Sequence, residues 1–451
     1  MRITNSMMRT NSLWNINKNE ELMNKYGIQL STGKKIQKPS DDPIVAVRAL
    51  KLRTNVKEIV QYKTNSQDAI SWLGVTEQAM NNTTTLLKRA RDLCVQGASD
   101  TFSPSDRANI IAELSELKEQ FLSEANVNYA GRYIFSGFKT DKPVTLIKAQ
   151  DTVNYEITES MSAKGIEKVS TVVESATPGQ YEIKDSYRLR LGYGDIASNL
   201  TGTIGTLPNQ LTVNLAMSST DPDAYNPAVG TVNFLEDTGE LVFNVDNVNG
   251  EDALGNPVTP VPTDFDIVYN KIDFQKGDLA PEQYYNCINT SAVPPIIYTK
   301  PKDEMVYQIS YNQQVTVNSM GNEVFTADLA RDFDEIINAV KSINDDDPEA
   351  KQSLQKDVLG NFFEGMLTKL DKHLNTIVRE QAVIGSKINR LELTINRLDD
   401  DKVNFTELLS LNENVDMTEA VLNLKAQEIV YNASLAASSK LMQKTLMDFI
   451  N

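Results

Sequence analysis

KLDKHLNTIVREQAVIGSKINRLELTINRLDDDKVNFTELLSLN, residues 369–412, is the stretch that decides the fold. Its apolar residues advance by alternate fours and threes through Leu370, Leu374, Ile377, Ile384, Ile388, Leu391, Ile395, Leu398, Phe405 and Leu409. Gln381 and Lys402 stand as polar interruptions of the same seam. Apolar residues every 3.5 positions make a coiled-coil stripe, and a stripe of this length requires a partner helix. The opposite end of the chain offers one, in the stretches Ile44 to Ala98 and Pro104 to Asn126. The fold class that follows is α+β and multidomain. Paired, coiled-coil-like N- and C-terminal helices form a rod, and an all-β domain is inserted between them.

Length and charge narrow the classes. The chain has 451 residues, which suggests about three domains. Its hydrophobic fraction of 40% is enough for real cores, and its formal net charge is −17. Such an acid balance argues against nucleic acid, whose phosphates call for clustered Lys and Arg. Cys94 and Cys287 are the only cysteines, too few for a disulfide framework and in no metal-ligand spacing. The opening Met1-Arg2-Ile3-Thr4-Asn5-Ser6 lacks the apolar run of a secretory signal. No segment reaches the ~20 apolar residues that span a bilayer, so no membrane partner is expected.

Along the chain, a first helix is predicted from Thr4 to Ser31, with Gly33 as its stop. Asp42-Pro43 then reads as an N-cap followed by proline at the first helical position. The long helix that follows runs toward Gly97, broken at most near Gly74, and Ser103-Pro104 opens the next. From Asn126 the texture changes to short alternating runs punctuated by Gly, Asn, Asp and Pro, with Tyr129 to Gly137 strand-like. Helix resumes near Asp328, and Asp347-Pro348 opens the seam helix. Asp416-Met417-Thr418-Glu419 is a capping box for the last helix. Three domains result: residues 1–40 with 414–451, terminal helices disordered until assembly; 41–140 with 322–413, the helical bundle; and 141–321, the β insert in one sandwich or two lobes. The insert is expected to be a separable side module.

Catalytic chemistry finds little support. His373 is the only histidine, which excludes the H-E-x-x-H and Ser-His-Asp patterns and leaves it a packing or surface residue. Gly192-Tyr193-Gly194-Asp195-Ile196-Ala197 imitates a dinucleotide fingerprint, but the following Ser198 to Thr203 is no helix, so a turn is expected. Asp345-Asp346-Asp347 reads as a helix cap and Asp399-Asp400-Asp401 as a solvated face, since a calcium loop also needs a glycine turn and a bidentate Glu. Cys94 is a small buried hydrophobe, and Trp14 and Trp72 are packing residues. No catalytic, cofactor-binding or metal-binding residue is assigned, and no cofactor is expected.

Several motifs together resemble the bacterial flagellin superfamily. Leu30-Ser31-Thr32-Gly33-Lys34-Lys35-Ile36 with Pro39-Ser40-Asp41-Asp42-Pro43 looks like the segment after its first helix. Leu87 to Gln96 is similar to its arginine-bearing bundle motif. Pro39 to Pro43 and Gly131-Arg132-Tyr133-Ile134-Phe135-Ser136-Gly137 are more similar to the hook–filament junction branch than to flagellin itself. The resemblance covers residues 1–145 and 325–451. It implies a structural adaptor, exported by the type III pathway without a cleaved signal, that joins hook-associated protein 1 to flagellin. Self-association in a ring, an export chaperone on the C-terminal helix and an extracellular flagellar location are implied with it. The assembly interface would use Leu13, Ile16, Met23, Leu30, Leu424, Leu435, Leu446 and Phe449, with Arg89 and Arg91 on the bundle face. Those arginines also resemble the flagellin segment seen by an innate immune receptor, although Cys94 replaces the usual alanine and subunit packing is the plainer role. The alternatives are a flagellin subunit, or a filament protein whose insert binds glycans.

Overall fold

The computed structural model describes residues 5–98, 104–150, 152–174, 180–196, 203–206, 209–219, 221, 223–252, 254–300, 304–341 and 348–447. Helices dominate both ends of the chain: α1 (Asn5–Thr32), α2 (Pro43–Gly97) and α3 (Pro104–Ala125), then α7 (Ala327–Lys341), α8 (Glu349–Glu413) and α9 (Met417–Met447). Gly33 ends α1 in the left-handed region, at φ +68°. Asp42 caps α2, its Oδ1 accepting from the backbone N–H groups of Ile44 and Val45 at 3.0 and 3.1 Å. The helix runs unbroken past Gly74. Asp416 caps α9 in the same manner, through Thr418 and Glu419. Ser103, and the cap expected at Asp345-Asp346-Asp347, lie outside the described residues.

The seam of α8 is sharper than the sequence suggests. Phe363, Leu370, Ile377, Ile384, Leu391 and Leu398 are buried, each seven residues after the last. The alternate positions Leu374, Ile388, Ile395, Phe405 and Leu409 are only half-buried. Gln381 is accommodated because its Nε2 donates to Asn81 Oδ1 of α2 at 3.1 Å. Helix α2 shows the matching pattern. Leu73, Met80, Leu87 and Cys94 are buried at one heptad position, and Ala69, Thr76, Thr83 and Ala90 at the other. Large and small residues thus alternate along the stripe, which lets neighbouring helices approach and interdigitate. The hydroxyls of Thr76 and Thr83 donate back to Trp72 and Ala79 carbonyls one turn earlier, so their burial leaves no polar atom unmatched.

Between α3 and α7 the chain is mostly strand. A hairpin of β1 (Asn128–Tyr129) and β2 (Arg132–Tyr133) turns on Ala130-Gly131, both at positive φ. The expected strand through Gly137 is not formed beyond Tyr133. Ser136 Oγ donates to the Tyr133 carbonyl, which turns the backbone there, and Ile134 and Phe135 plug the core. Phe135 meets Phe325 edge-on at 4.8 Å between ring centres, and Phe121 of α3 packs on Phe325 and on Phe333 of α7. Gly321 N–H donates to the Phe135 carbonyl at 2.7 Å, so the chain leaves the helices and returns to them at adjacent points.

Two sheets make up most of the insert. Strands β3 (Tyr155–Ser162), β10 (Asp264–Lys271), β11 (Asn286–Asn289) and β12 (Ile296–Tyr298) form an antiparallel sheet in the order β10-β3-β11-β12. Strands β4 (Glu167–Glu174), β5 (Tyr181–Arg190), β6 (Thr203–Thr206), β7 (Asn209–Met217), β8 (Thr231–Leu235) and β9 (Glu240–Phe243) form the other, in the order β4-β5-β9-β8-β7-β6. Its β7–β8 pair is parallel. The helices α4 (Val245–Asn249) and α5 (Pro281–Tyr284), each about a turn long, interrupt the strands. A last hairpin, β13 (Val306–Ser310) with β14 (Gln313–Thr316), precedes the short α6 (Gly321–Val324).

The chain divides into two compact units. One holds residues 1–67, 308–313 and 391–451; the other holds 68–307 and 314–390 and includes both larger sheets. Within the first, Lys63 Nζ donates to Asp399 Oδ1 at 2.6 Å, so the acidic run 399–401 is not wholly solvated as expected. Leu391 is fully buried there, while Asp400, two and a half turns on, is exposed. Leu391→Ala should cost ~2–5 kcal/mol of stability. Asp400→Ala should change it by less than about 0.5 kcal/mol. Equal shifts in chemical melts of the two variants would refute the seam.

Candidate assembly surface

In the first unit, α1 and α9 lie antiparallel. Gln427 Nε2 donates to Asn19 Oδ1 at 3.2 Å. Near the other end, Val415 N–H donates to the Gly33 carbonyl and Lys35 N–H to that of Glu413. Glu413 knots this end. Its side chain is only 3% exposed and accepts from Lys34 Nζ at 3.0 Å and from Arg53 Nη2 at 2.9 Å. Burial alone would raise its carboxyl, but the hydrogen bonds from Arg53 and Lys34 prevail and hold it below its ordinary value.

The pair leaves much apolar surface bare. Ile16, Met23, Leu30 and Leu424 are half-buried, whereas Leu13 is 61% exposed and Leu435 lies open. Trp14, Leu422 and Ile429 are exposed as well, which corrects the expectation that Trp14 packs inside. Two helices can cover only facing stripes, and Trp14 lies off the stripe that α9 covers. Trp72, by contrast, is buried and meets Tyr129 edge-on. The side chain of Leu446, and Phe449 altogether, lie outside the described residues.

In the second unit, both bundle arginines are engaged within the chain. Arg89 pairs with Glu113 of α3, and Arg91 Nε donates to Asp371 Oδ1 of α8 at 2.8 Å. These pairs are partly exposed, a setting in which an ion pair contributes little. Cys94 is fully buried beside them, and burial pushes its thiol up to about 12.

The same unit contains a charge network that sequence reasoning missed. Asp332 of α7 is completely buried. It accepts from Arg190 Nη2 of β5 at 2.6 Å, and its other oxygen lies 2.9 Å from His373 Nε2 of α8. Glu335, one turn on, accepts from Arg190 Nη1 at 2.7 Å and also pairs with Arg188. Arg188 in turn donates to Glu240 Oε1 of β9 at 2.6 Å. Lys369 of α8 pairs with Glu167 of β4 and lies 3.8 Å from Asp332. Burial opposes the Asp332 charge, yet His373, Arg190 and Lys369 lower its carboxyl overall. His373 is thus a member of this network. Arg188 and Arg190 sit two apart on one face of a strand, and Asp332 and Glu335 three apart on one face of a helix; those spacings were the available signals.

Gly192, the first glycine of the false dinucleotide pattern, donates its N–H to Glu159 Oε2 at 3.0 Å, and Asp195 holds a positive φ. The segment is a turn as far as it is described; Ala197 lies outside the described residues. Glu159 also accepts from Tyr269 Oη at 2.9 Å. Burial pushes its carboxyl up to about 7 against those two hydrogen bonds. Among the described residues no group of three or more His, Cys, Asp or Glu is placed to hold a metal, and no helix is long and apolar enough to cross a membrane.

Comparison with known proteins places the two ends. Residues 3–140 match the bacterial flagellin N-terminal helical region, and residues 367–450 match the bacterial flagellin C-terminal helical region. Both ends of the chain are thus helical regions of the bacterial flagellin family, whose members are structural parts of the flagellum rather than enzymes. It is 34% identical over 142 residues to flagellar hook-associated protein 3 of Escherichia coli, a match covering 31% of this chain and 45% of that protein. The chain thus spans just under half the length of that relative. It is also 23% identical over 448 residues to the flagellin of Clostridium tyrobutyricum, covering 99% of this chain and all of that one. Among solved structures, flagellar hook-associated protein 3 of Legionella pneumophila overlaps 80% of this chain and 97% of its own, at 16% identity and a TM-score of 0.38.

The raised Glu159 carboxyl makes a pH prediction. A carboxyl whose value rises on folding stabilises fully below its unfolded value near 4.5, and that contribution fades as pH rises through about 7. Denaturant melts should therefore lose on the order of 1–3 kcal/mol between pH 5 and 8. Glu159→Gln should flatten that slope; an unchanged slope would show that the carboxyl titrates normally.

Proposed function

We propose that the chain is a structural adaptor of the hook–filament junction, seated between hook-associated protein 1 and the first flagellin subunits as a ring of its own copies. The observation that carries the reading is the bare apolar surface of the α1–α9 pair, with Leu13, Trp14, Leu422 and Ile429 open to solvent. Neighbouring subunits in an assembly would cover these side chains. The 34% identity to a hook-associated protein 3 over 142 residues supports the junction over the filament. The end-to-end match to a flagellin keeps the filament subunit as the second reading.

Under the junction reading, residues 1–40 with 414–451 form a terminal domain that orders on assembly, 41–140 with 322–413 the bundle, and 141–321 the insert. The interface is assigned to Leu13, Ile16, Met23, Leu30, Leu424, Leu435, Leu446 and Phe449, with Arg89 and Arg91 on the bundle face. An export chaperone would take the apolar face of α9 before the chain leaves by the type III route. A strain lacking the protein should keep its hooks and spill flagellin into the medium. A chain truncated after Tyr431 should retain the stability of its second unit and fail to restore filaments. Full-length filaments from the truncated chain would exclude the terminal helices as the assembly surface. Hooks bearing a filament of the remaining flagellin in the deletion strain would favour the second reading.

A further inference from the structure

The network around Asp332 joins three segments far apart in sequence. Arg188 and Arg190 come from strand β5 of the insert, Asp332 and Glu335 from α7, and Lys369 and His373 from α8. The arginine side chains are each 7% exposed, Glu335 is 16% exposed and Asp332 is fully buried. Charges so enclosed are tolerable only while all their partners are present. Withdrawing the six-stranded sheet from α7 would strip Asp332 and Glu335 of their arginines, and it would leave Arg188 and Arg190 with only Glu240 and Glu167 of their own sheet. A displaced docking, even by one turn of α7, would misalign a fork-shaped guanidinium that here spans Asp332 and Glu335 at 2.6 and 2.7 Å. Arg331 of the same helix adds a directional tie, donating from Nη1 to the Leu191 carbonyl at 2.6 Å and from Nη2 to that of Thr238.

We propose that this network is a charge lock, which fixes the inserted sheets in one orientation on α7 and α8 and makes insert and helices open as one cooperative unit. The insert then is not the separable module that its sequence boundaries suggest. Its second sheet is drawn in as well. Tyr193, just past β5, donates from its hydroxyl to the Leu279 carbonyl at 2.7 Å, and Lys271 of β10 donates to the carbonyls of Gly194 and Asp195 at 3.0 Å. An opening that begins at Arg190 therefore reaches both sheets.

The chain's two cysteines read this out directly. Cys94 lies in helix α2 and Cys287 in strand β11 of the insert. They are 0% and 2% exposed, and burial pushes both thiols up to about 12. Neither should react until its own region opens. The experiment is pulsed thiol alkylation of the full chain across a urea series, with each cysteine followed by peptide mass spectrometry. In the unaltered protein, both thiols should become reactive at one urea midpoint, together with the loss of helical circular dichroism. Arg190→Met should split them, with Cys287 labelled at least tenfold faster than Cys94 in low urea. Lys276→Met removes an exposed tie from the insert to Glu119 of α3 and should leave the midpoints coincident. Cys287 opening well before Cys94 in the unaltered chain would overturn the lock, as would coincident midpoints in a folded Arg190→Met variant. Should Arg190→Met not fold, Arg190→Met with Asp332→Leu replaces the pair by apolar side chains and must show the same split.

Discussion

One repeat of seven residues governs the helical part of this protein. Six side chains of α8, from Phe363 to Leu398, are buried at that interval, and α2 answers with large residues at Leu73, Met80 and Leu87, small ones between them, and Cys94 at the next heptad position. The interval matters because an α-helix returns to the same face after two turns only approximately, and a strict heptad keeps one face inward over a long distance. Everything else is arranged around that face. The arginines at 89 and 91 flank the stripe and pair with acids beside it, and the polar Gln381 is admitted because Asn81 meets it. The caps at Asp42 and Asp416 set where α2 and α9 begin, and thereby which residues of each helix face inward.

Much of this was legible in the sequence, and the reasons are physical. Helix caps, proline at a first turn and heptad spacing are local signals, written within a few residues of where they act. Asp42-Pro43, Gly33 and Asp416 therefore read correctly, and so did the seam. The second stripe of that seam was less legible. Nothing in the spacing of Leu374, Ile388 and Ile395 says that one chain alone buries them only halfway. Trp14 misled for a related reason, because an exposed apolar residue has the same chemistry as one in a core.

The charge network escaped because its information is not local. Arg188, Arg190, Asp332, Glu335, Lys369 and His373 each look like ordinary members of a solvated face when taken one at a time. Only the fold brings β5 against α7 and α8, and only there does a lone histidine acquire a buried carboxylate. The same holds for Glu159, whose neighbours Gly192 and Tyr269 lie on other segments of the insert. Tyr133 to Gly137 shows the converse failure: strand-like composition was overruled by a turn at Ser136 that frees Phe135 to enter the aromatic core.

The narrow neck between helices and insert has an evolutionary consequence. Where the chain departs at Phe135 and returns at Gly321, the two backbones are one hydrogen bond apart. A gap of that width is indifferent to how much polypeptide bridges it, since the entropy of closing a loop grows only with the logarithm of its length. Lineages can therefore lengthen, shorten or replace what lies beyond the neck without disturbing the heptad stripe. What they cannot inherit through the neck is a fixed pose for the new material. Each replacement has to invent its own means of attachment to the helices, and such means should differ from one relative to the next even where the helices do not.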